Sequence, residues 1–338
     1  MRRKLLVIGA VGSLGLGVAI GMLRTARATN DRQGGSASSD CDRICLNGFV
    51  DQYLAALAAH DPSRLPVADN VRFTEDSAPL KFGDGLWQTI TGVGSYRIYC
   101  DEPAAGEVGS IDAIEENNLP AIVMLRLKVV RHKISEVETI VVRSQGEANE
   151  EESAHTDKLV KPDPIFAQDV PASNRPSRQE MIATVNKYFD GIVTTNGKMI
   201  PYASNGYRIL NGTLDCNDAS AKNIQQSDNS SFDKMTCPDQ IDTGQFKYIG
   251  SITPRRFPVV DRDKGLVLAL IRFNHPGNVL SIHLTDGTVL DMTKDGWAQH
   301  PTSALMAELF KVEGGRIHII WGVYTRVPYK DQVGWDGE

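Results

Sequence analysis

The chain has 338 residues, which is room for two ordinary domains. Hydrophobic residues make up 41% and charged residues 23%, which excludes a disordered or collagen-like chain. With 36 Lys+Arg against 42 Asp+Glu and no basic block, nucleic acid is not an expected partner. Zinc-finger spacing, G-x-G-x-x-G and Walker-type loops are missing from the sequence, so zinc-finger, dinucleotide and P-loop chemistry have no support.

Residues 1–28 read as a signal peptide for export to the periplasm or the medium. Arg2, Arg3 and Lys4 precede an apolar stretch from Leu5 to Leu23, and Ala26-Arg27-Ala28 supplies small residues at a cleavage site. Five glycines dilute the apolar stretch, which hints at twin-arginine export and argues against a lasting membrane span. An uncleaved anchor is the alternative. Removing the segment takes five basic residues and leaves 31 Lys+Arg against 42 Asp+Glu, as suits a soluble exported chain with no stable membrane insertion. Export permits disulfides among Cys41, Cys45, Cys100, Cys216 and Cys237. Cys216 and Cys237 flank a polar stretch that would otherwise float, so they are the expected pair. Cys41 and Cys45 sit one turn apart at a helix start, and either could instead reach Cys100. One thiol is left over, and no metal site follows from these spacings.

The elements then come in order, twice. Phe49, Tyr53, Ala56 and Leu57 recur at helical spacing, and Val185, Tyr188, Phe189 and Ile192 repeat the pattern. A short strand is expected at 70–75, then a Gly-rich turn with Gly83 and Gly85, then three long β segments. The strongest strands are 121–130, 134–143, 265–273 and 316–326, which are β-branched and bounded by charged or turn residues. Residues 50–57 match 185–192, and 65–68 match 200–203. With a one-residue insertion, 71–73 match 207–209. Residues 124–127 resemble 270–273, and Lys133-Ile134 with Arg143 match Arg316-Ile317 with Arg326. These blocks, recurring in one order, imply a duplicated module, at 41–145 and 176–330. A charged, Pro-containing linker at 146–175 joins the copies, and the second carries an insert at about 211–242. Each module is α+β: a helix packed into the concave side of a curved antiparallel sheet, a shape that encloses a pocket.

The run from Val50 to Asp61, followed by Leu65-Pro66-Val67-Ala68-Asp69-Asn70-Val71-Arg72-Phe73-Thr74-Glu75-Asp76, resembles the opening of the SnoaL-like, ketosteroid-isomerase-like branch of the nuclear transport factor 2 superfamily. The whole mature chain resembles a tandem, exported SnoaL-like protein with cone-shaped modules. That superfold hosts isomerases, cyclases, dehydratases, lyases and binding modules. The resemblance puts Tyr53 where ketosteroid isomerases keep the tyrosine that donates to a developing enolate. It puts Glu75 where they keep the carboxylate base. A buried phenol stabilises an oxyanion where water is excluded, and a carboxylate in an apolar pocket can shuttle a proton. The isomerases' second acid has no match on Ile122-Val123-Met124-Leu125, so steroid isomerisation itself is not expected. In the second copy Tyr188 is kept, and the position of Glu75 is assigned to Asn211.

Trp87 and Tyr96 are candidate pocket aromatics, with core packing as the alternative. Arg126 and Arg272 lie within apolar strands. A buried arginine needs a partner, either a ligand anion or an internal carboxylate. Glu136 and Glu138 share one strand face and could line the pocket with Arg126 or face water. Trp321 takes the place of Glu138 in the second copy, which suggests a drier cavity there. His275 and His318 read as turn and strand residues before catalytic bases. Two functions compete. One is an exported, cofactor-independent acid/base enzyme of lyase, isomerase or dehydratase type, acting on a small apolar or aromatic molecule, with Glu75 as base and Tyr53 as donor. The other is a non-catalytic ligand-binding or assembly protein. A homodimer is a candidate assembly for either.

Overall fold

The computed structural model describes residues 41–145, 152–217, 232–294, 299–332 and 334–335. The expected signal peptide and the middle of the expected insert lie outside them. The first helix, α1 (Arg43–Ala58), begins where Asp42 caps it, its side chain accepting from the Cys45 N–H at 2.9 Å. Its buried face carries Leu46, Phe49, Val50, Tyr53, Leu54 and Leu57. After β1 (Val67–Glu75), β2 (Ala78–Pro79) and a single helical turn α2 (Leu86–Thr89) come four long strands: β3 (Ile90–Glu102), β4 (Glu107–Glu116), β5 (Leu119–Val130) and β6 (Lys133–Arg143). The second half repeats the plan with α3 (Arg178–Thr194), β7 (Tyr202–Leu210), β8 (Thr213–Cys216), a short α4 (Cys237–Asp242), β9 (Ser251–Asp261) and β10 (Leu266–His275). A small hairpin, β11 (Ser281–His283) and β12 (Val289–Asp291), precedes β13 (Thr302–Glu313) and β14 (Arg316–Pro328).

The strands form two six-stranded sheets of corresponding order, β2-β1-β6-β5-β4-β3 and β8-β7-β14-β13-β10-β9. They are mixed and not purely antiparallel, because β1 runs parallel to β6 and β7 parallel to β14. Four long strands per sheet replace the three expected.

The sheets pack against each other. Tyr96, Ile98, Ile111, Ile122, Met124 and Ile140 of the first share one core with Tyr207, Leu268, Leu270, Leu309, Ile319 and Trp321 of the second. The opposite face of the first sheet packs on α1, and that of the second packs on α3. This four-layer order explains why Ala121 to Leu127 of β5 are buried without alternation: both sides of the strand face protein. Gly109 of β4 lies against Leu268 of β10, where a Cβ would stand 2.5 Å from Leu268 Cδ2. Part of the segment expected as a linker joins the core as well, since Ala154, Leu159 and Phe166 are buried in it.

The registers define which positions correspond. Val67 faces Ile134 and Arg72 faces Glu136, while Tyr202 faces Ile317 and Tyr207 faces Ile319. One offset therefore runs from helix through first strand, with no insertion before residue 71. Glu75 corresponds to Leu210 and Asp76 to Asn211, which corrects the pairing of Glu75 with Asn211. The match of 124–127 to 270–273 also fails. The first lies on β5 and the second on β10, which occupies the place of β4. Two buried strands with one arginine each look alike in sequence without being equivalent.

The disulfides join Cys216 to Cys237, as expected, and Cys41 to Cys45, leaving Cys100 as a buried thiol. Among the described residues no helix is long and apolar enough to cross a membrane.

Candidate active site

Alternation along β1 turns Phe73 and Glu75 towards α1. Thr74 turns the other way and accepts a hydrogen bond from Trp335 Nε1 at 2.9 Å. Glu75 is buried, and two donors hold its carboxylate. The Leu86 N–H donates to Oε2 at 2.8 Å, and Arg143 Nη2 donates to Oε1 at 2.7 Å. Gly85 makes the first approach feasible. Its φ of +68° suits glycine, and a Cβ there would stand 2.6 Å from Glu75 Oε2.

Tyr53 projects from α1 into the same core. Its hydroxyl oxygen accepts from Trp87 Nε1 at 3.1 Å, and the two rings meet edge to face with centroids 5.2 Å apart. Phe82 packs on Tyr53, Phe73 and Trp87. His60 Nδ1, 2.7 Å from the Trp87 carbonyl oxygen, donates to it and steadies the tryptophan backbone. Burial pushes the Tyr53 phenol well up, and the Glu75 charge adds to this, while the Trp87 N–H works against it. At neutral pH the phenol is a proton donor. Because Trp87 already donates to its oxygen, its own hydrogen is free to turn elsewhere.

Arg143 gathers three carboxylates: Glu75, Asp76 at 2.8 Å and Glu116 at 2.7 Å. Asp76 is pushed up to about 6, by burial first and with a contribution from Glu75. The Val141 N–H and Arg143 oppose the shift.

Trp87 therefore shares a face with Tyr53 and Glu75. Tyr96, Arg126 and Glu138 lie on the other face of the sheet, between the sheets. Tyr96 hydroxyl accepts from Trp321 Nε1 at 2.8 Å. Arg126 pairs with Glu107 at 2.9 Å and Glu136 at 2.6 Å, and it lies 3.5 Å from Glu138. Glu138 accepts from Arg256 of β9 at 2.9 Å, so the pair links the two sheets. Trp335 stacks among Arg72, Arg126 and Arg256.

Two groupings escaped the sequence reading. On the helix side of the first sheet, Arg97 pairs with the fully buried Asp112 and with Asp51 of α1, which also accepts from the Tyr99 hydroxyl at 2.6 Å. Burial pushes Asp112 up to about 6, against Arg97 and Ser110. Under α3, Arg208 donates through Nε and Nη2 to Glu308 Oε1 at 3.1 and 3.0 Å and also pairs with Asp215. The Tyr188 hydroxyl bonds to Glu308, and burial raises Tyr188, Glu308 and Asp215 alike. The second interior is thus not drier than the first. Trp321 faces the other sheet and does not bear on it. The available signal was Glu308 itself, a lone acid in an apolar run. His275 is buried edge-on to Tyr248 and pushed down to about 3 by burial and by Arg326, so it is neutral. His318 lies with Nε2 3.3 Å from the Glu313 carbonyl oxygen.

A family profile described as a domain of unknown function, DUF8021, matches residues 174–323, the second sheet and its helix. No curated protein sequence matches the chain. Among solved structures, the epoxide hydrolase/cyclase-like enzyme SalBIII of pyran ring formation in polyether salinomycin is similar at 12% identity and a TM-score of 0.27. The match covers 44% of this chain and 93% of that one. An M. tuberculosis LEH-like epoxide hydrolase is similar at 11% identity and a TM-score of 0.25, covering 44% of this chain and 86% of that one. Likenesses this distant say nothing of activity.

Proposed function

We propose that the chain is a duplicated SnoaL-like protein, exported, whose first module is a cofactor-independent acid/base enzyme. The observation that supports this reading is the burial of Glu75 and Tyr53 on one face of the first sheet, close enough for the carboxylate charge to act on the phenol. Glu75 takes a proton from carbon next to a carbonyl or similar acceptor. Tyr53 donates to the oxygen where charge develops, its oxygen polarised by Trp87. Phe82, Phe73 and Trp87 favour a small apolar or aromatic substrate, and the products are those of an isomerase, lyase or dehydratase. Tyr96, Arg126 and Glu138 hold the two sheets together in this reading and stay outside the site.

A second reading has its own observation. Arg143 and the Leu86 N–H occupy both oxygens of Glu75, as they would in a structural clamp. The protein is then a non-catalytic ligand-binding or assembly module. Turnover of a panel of small ketones, enol esters and aromatic β-hydroxy compounds separates the two. The enzyme reading expects Glu75→Gln to abolish turnover with the fold retained. A clamp expects lost stability in that variant and no wild-type turnover of any compound.

A further inference from the structure

We propose that Cys41, Cys45 and His132 form a binding site for a soft monovalent metal ion, Cu(I), once the Cys41–Cys45 disulfide is reduced. The two sulfurs and one imidazole nitrogen lie within 4.8 Å of one another, although the residues come from different elements. Cys41 and Cys45 flank the start of α1, and His132 lies in the turn between β5 and β6. Its Nδ1 stands 3.7 Å from Cys45 Sγ.

The disulfide does less for the fold than Cys216–Cys237. It spans 4 residues, against 21 for Cys216–Cys237, and the chain-entropy gain of a cross-link grows with the loop it closes. The turn is more telling. Arg131 and His132 both hold positive φ, 52° and 57°, a region costly for residues with a side chain. At the corresponding turn between β13 and β14 the chain has Gly314 and Gly315, which take φ of 58° and 71° without that cost. At the start of α3, the positions of Cys41 and Cys45 are held by Pro176 and Glu180. All three ligands are therefore confined to the first half, and one of them occupies a backbone conformation that its counterpart gives to glycine.

The donor set selects the ion. Two thiolates and an imidazole suit a soft ion in three-coordinate geometry. A structural zinc site would need a fourth ligand, and among the described residues the group has three. An external dithiol supplies the reduction: it passes two electrons and two protons to the disulfide and is itself oxidised to a disulfide. Cu(I) then displaces the two thiol protons to solvent, with no change in its own oxidation state.

The test is a titration of full-length protein with Cu(I) buffered by bicinchoninate, before and after reduction by a phosphine. Reduced protein should take up one equivalent with near-ultraviolet sulfur-to-copper absorption, and unreduced protein none. Cys41→Ser/Cys45→Ser retains Cys100, Cys216 and Cys237, so it reports any copper held there. It should lack the equivalent. His132→Gly restores the residue of the second turn, keeps the fold by circular dichroism and should weaken binding at least about tenfold. Equal uptake by reduced wild type and the double variant, or undiminished affinity in His132→Gly, overturns the site. Preference for Zn²⁺ over Cu(I) overturns the assignment of the ion.

Discussion

Asp76 and Asn211 accept the same hydrogen bond in the two halves of the molecule. Asp76 Oδ1 receives the Val141 N–H at 2.8 Å, and Asn211 Oδ1 receives the Tyr324 N–H at 2.9 Å. Both residues hold φ of 49° at the end of the first strand. The acceptor oxygen that the two side chains share is thus structural, and the neighbouring position is where the halves part: Glu75 in one, Leu210 in the other.

Asp76→Asn keeps the acceptor that asparagine supplies at residue 211 but gives up the Arg143 pair, so it should cost less than Asp76→Ala. Asp76→Ala should cost about 1–3 kcal/mol by leaving the Val141 N–H unpaired. Urea unfolding of both variants checks the contrast, and equal losses would contradict it.

The sheet-to-sheet contact gives a second expectation. Gly109→Ala should destabilise by roughly 1–3 kcal/mol, since its Cβ meets Leu268 at 2.5 Å. Adding Leu268→Val should recover part of that loss. A double variant whose loss equals the sum of the singles would show that the two positions do not touch.

Under α3, Arg208→Met leaves Glu308 and Asp215 without their cation in a buried setting. The cost should be about 3–5 kcal/mol, read from chemical denaturation. A loss within the range of surface substitutions would mean that the cluster is solvated.

His275 sets a pH dependence. It titrates near 6.5 when unfolded and at about 3 when folded, so between those values only the unfolded chain takes its proton. Its contribution to stability is complete above the unfolded value and is lost as pH falls from 6.5 towards 3. His275→Gln should show a shallower loss of stability between pH 7 and 5 than the wild type. Parallel curves would remove His275 from the account.

Much of the fold was legible because burial leaves a period. Phe49, Tyr53 and Leu57 announced α1, and the repeat of Tyr53 at Tyr188 announced the second helix. The offset from Lys133-Ile134 to Arg316-Ile317 anticipated the register of the last strands. What failed was pattern without topology. Leu270 to Phe273 imitates Met124 to Leu127 because both are buried strands, and only pairing reveals that they hold different places. For the site, Trp87 lies beside Tyr53, while Tyr96, Arg126 and Glu138 lie on the other face of the sheet. In a sheet covered on both sides, hydrophobic alternation disappears, and nothing in the sequence says which face a polar residue takes. Arg143, Asp112 and Glu308 were passed over for the same reason, as their partners come from distant strands.

Proton exchange tests the central claim without knowledge of the natural substrate. Small cyclic and aromatic ketones are incubated with the protein in D₂O, and loss of the α-carbon proton signal is followed by NMR. The acid/base account predicts wild-type exchange, none with Glu75→Gln, and a rate lower by ~10²–10³ with Tyr53→Phe. Exchange by Glu75→Gln at the wild-type rate, or wild-type exchange no faster than buffer across the set, would contradict it.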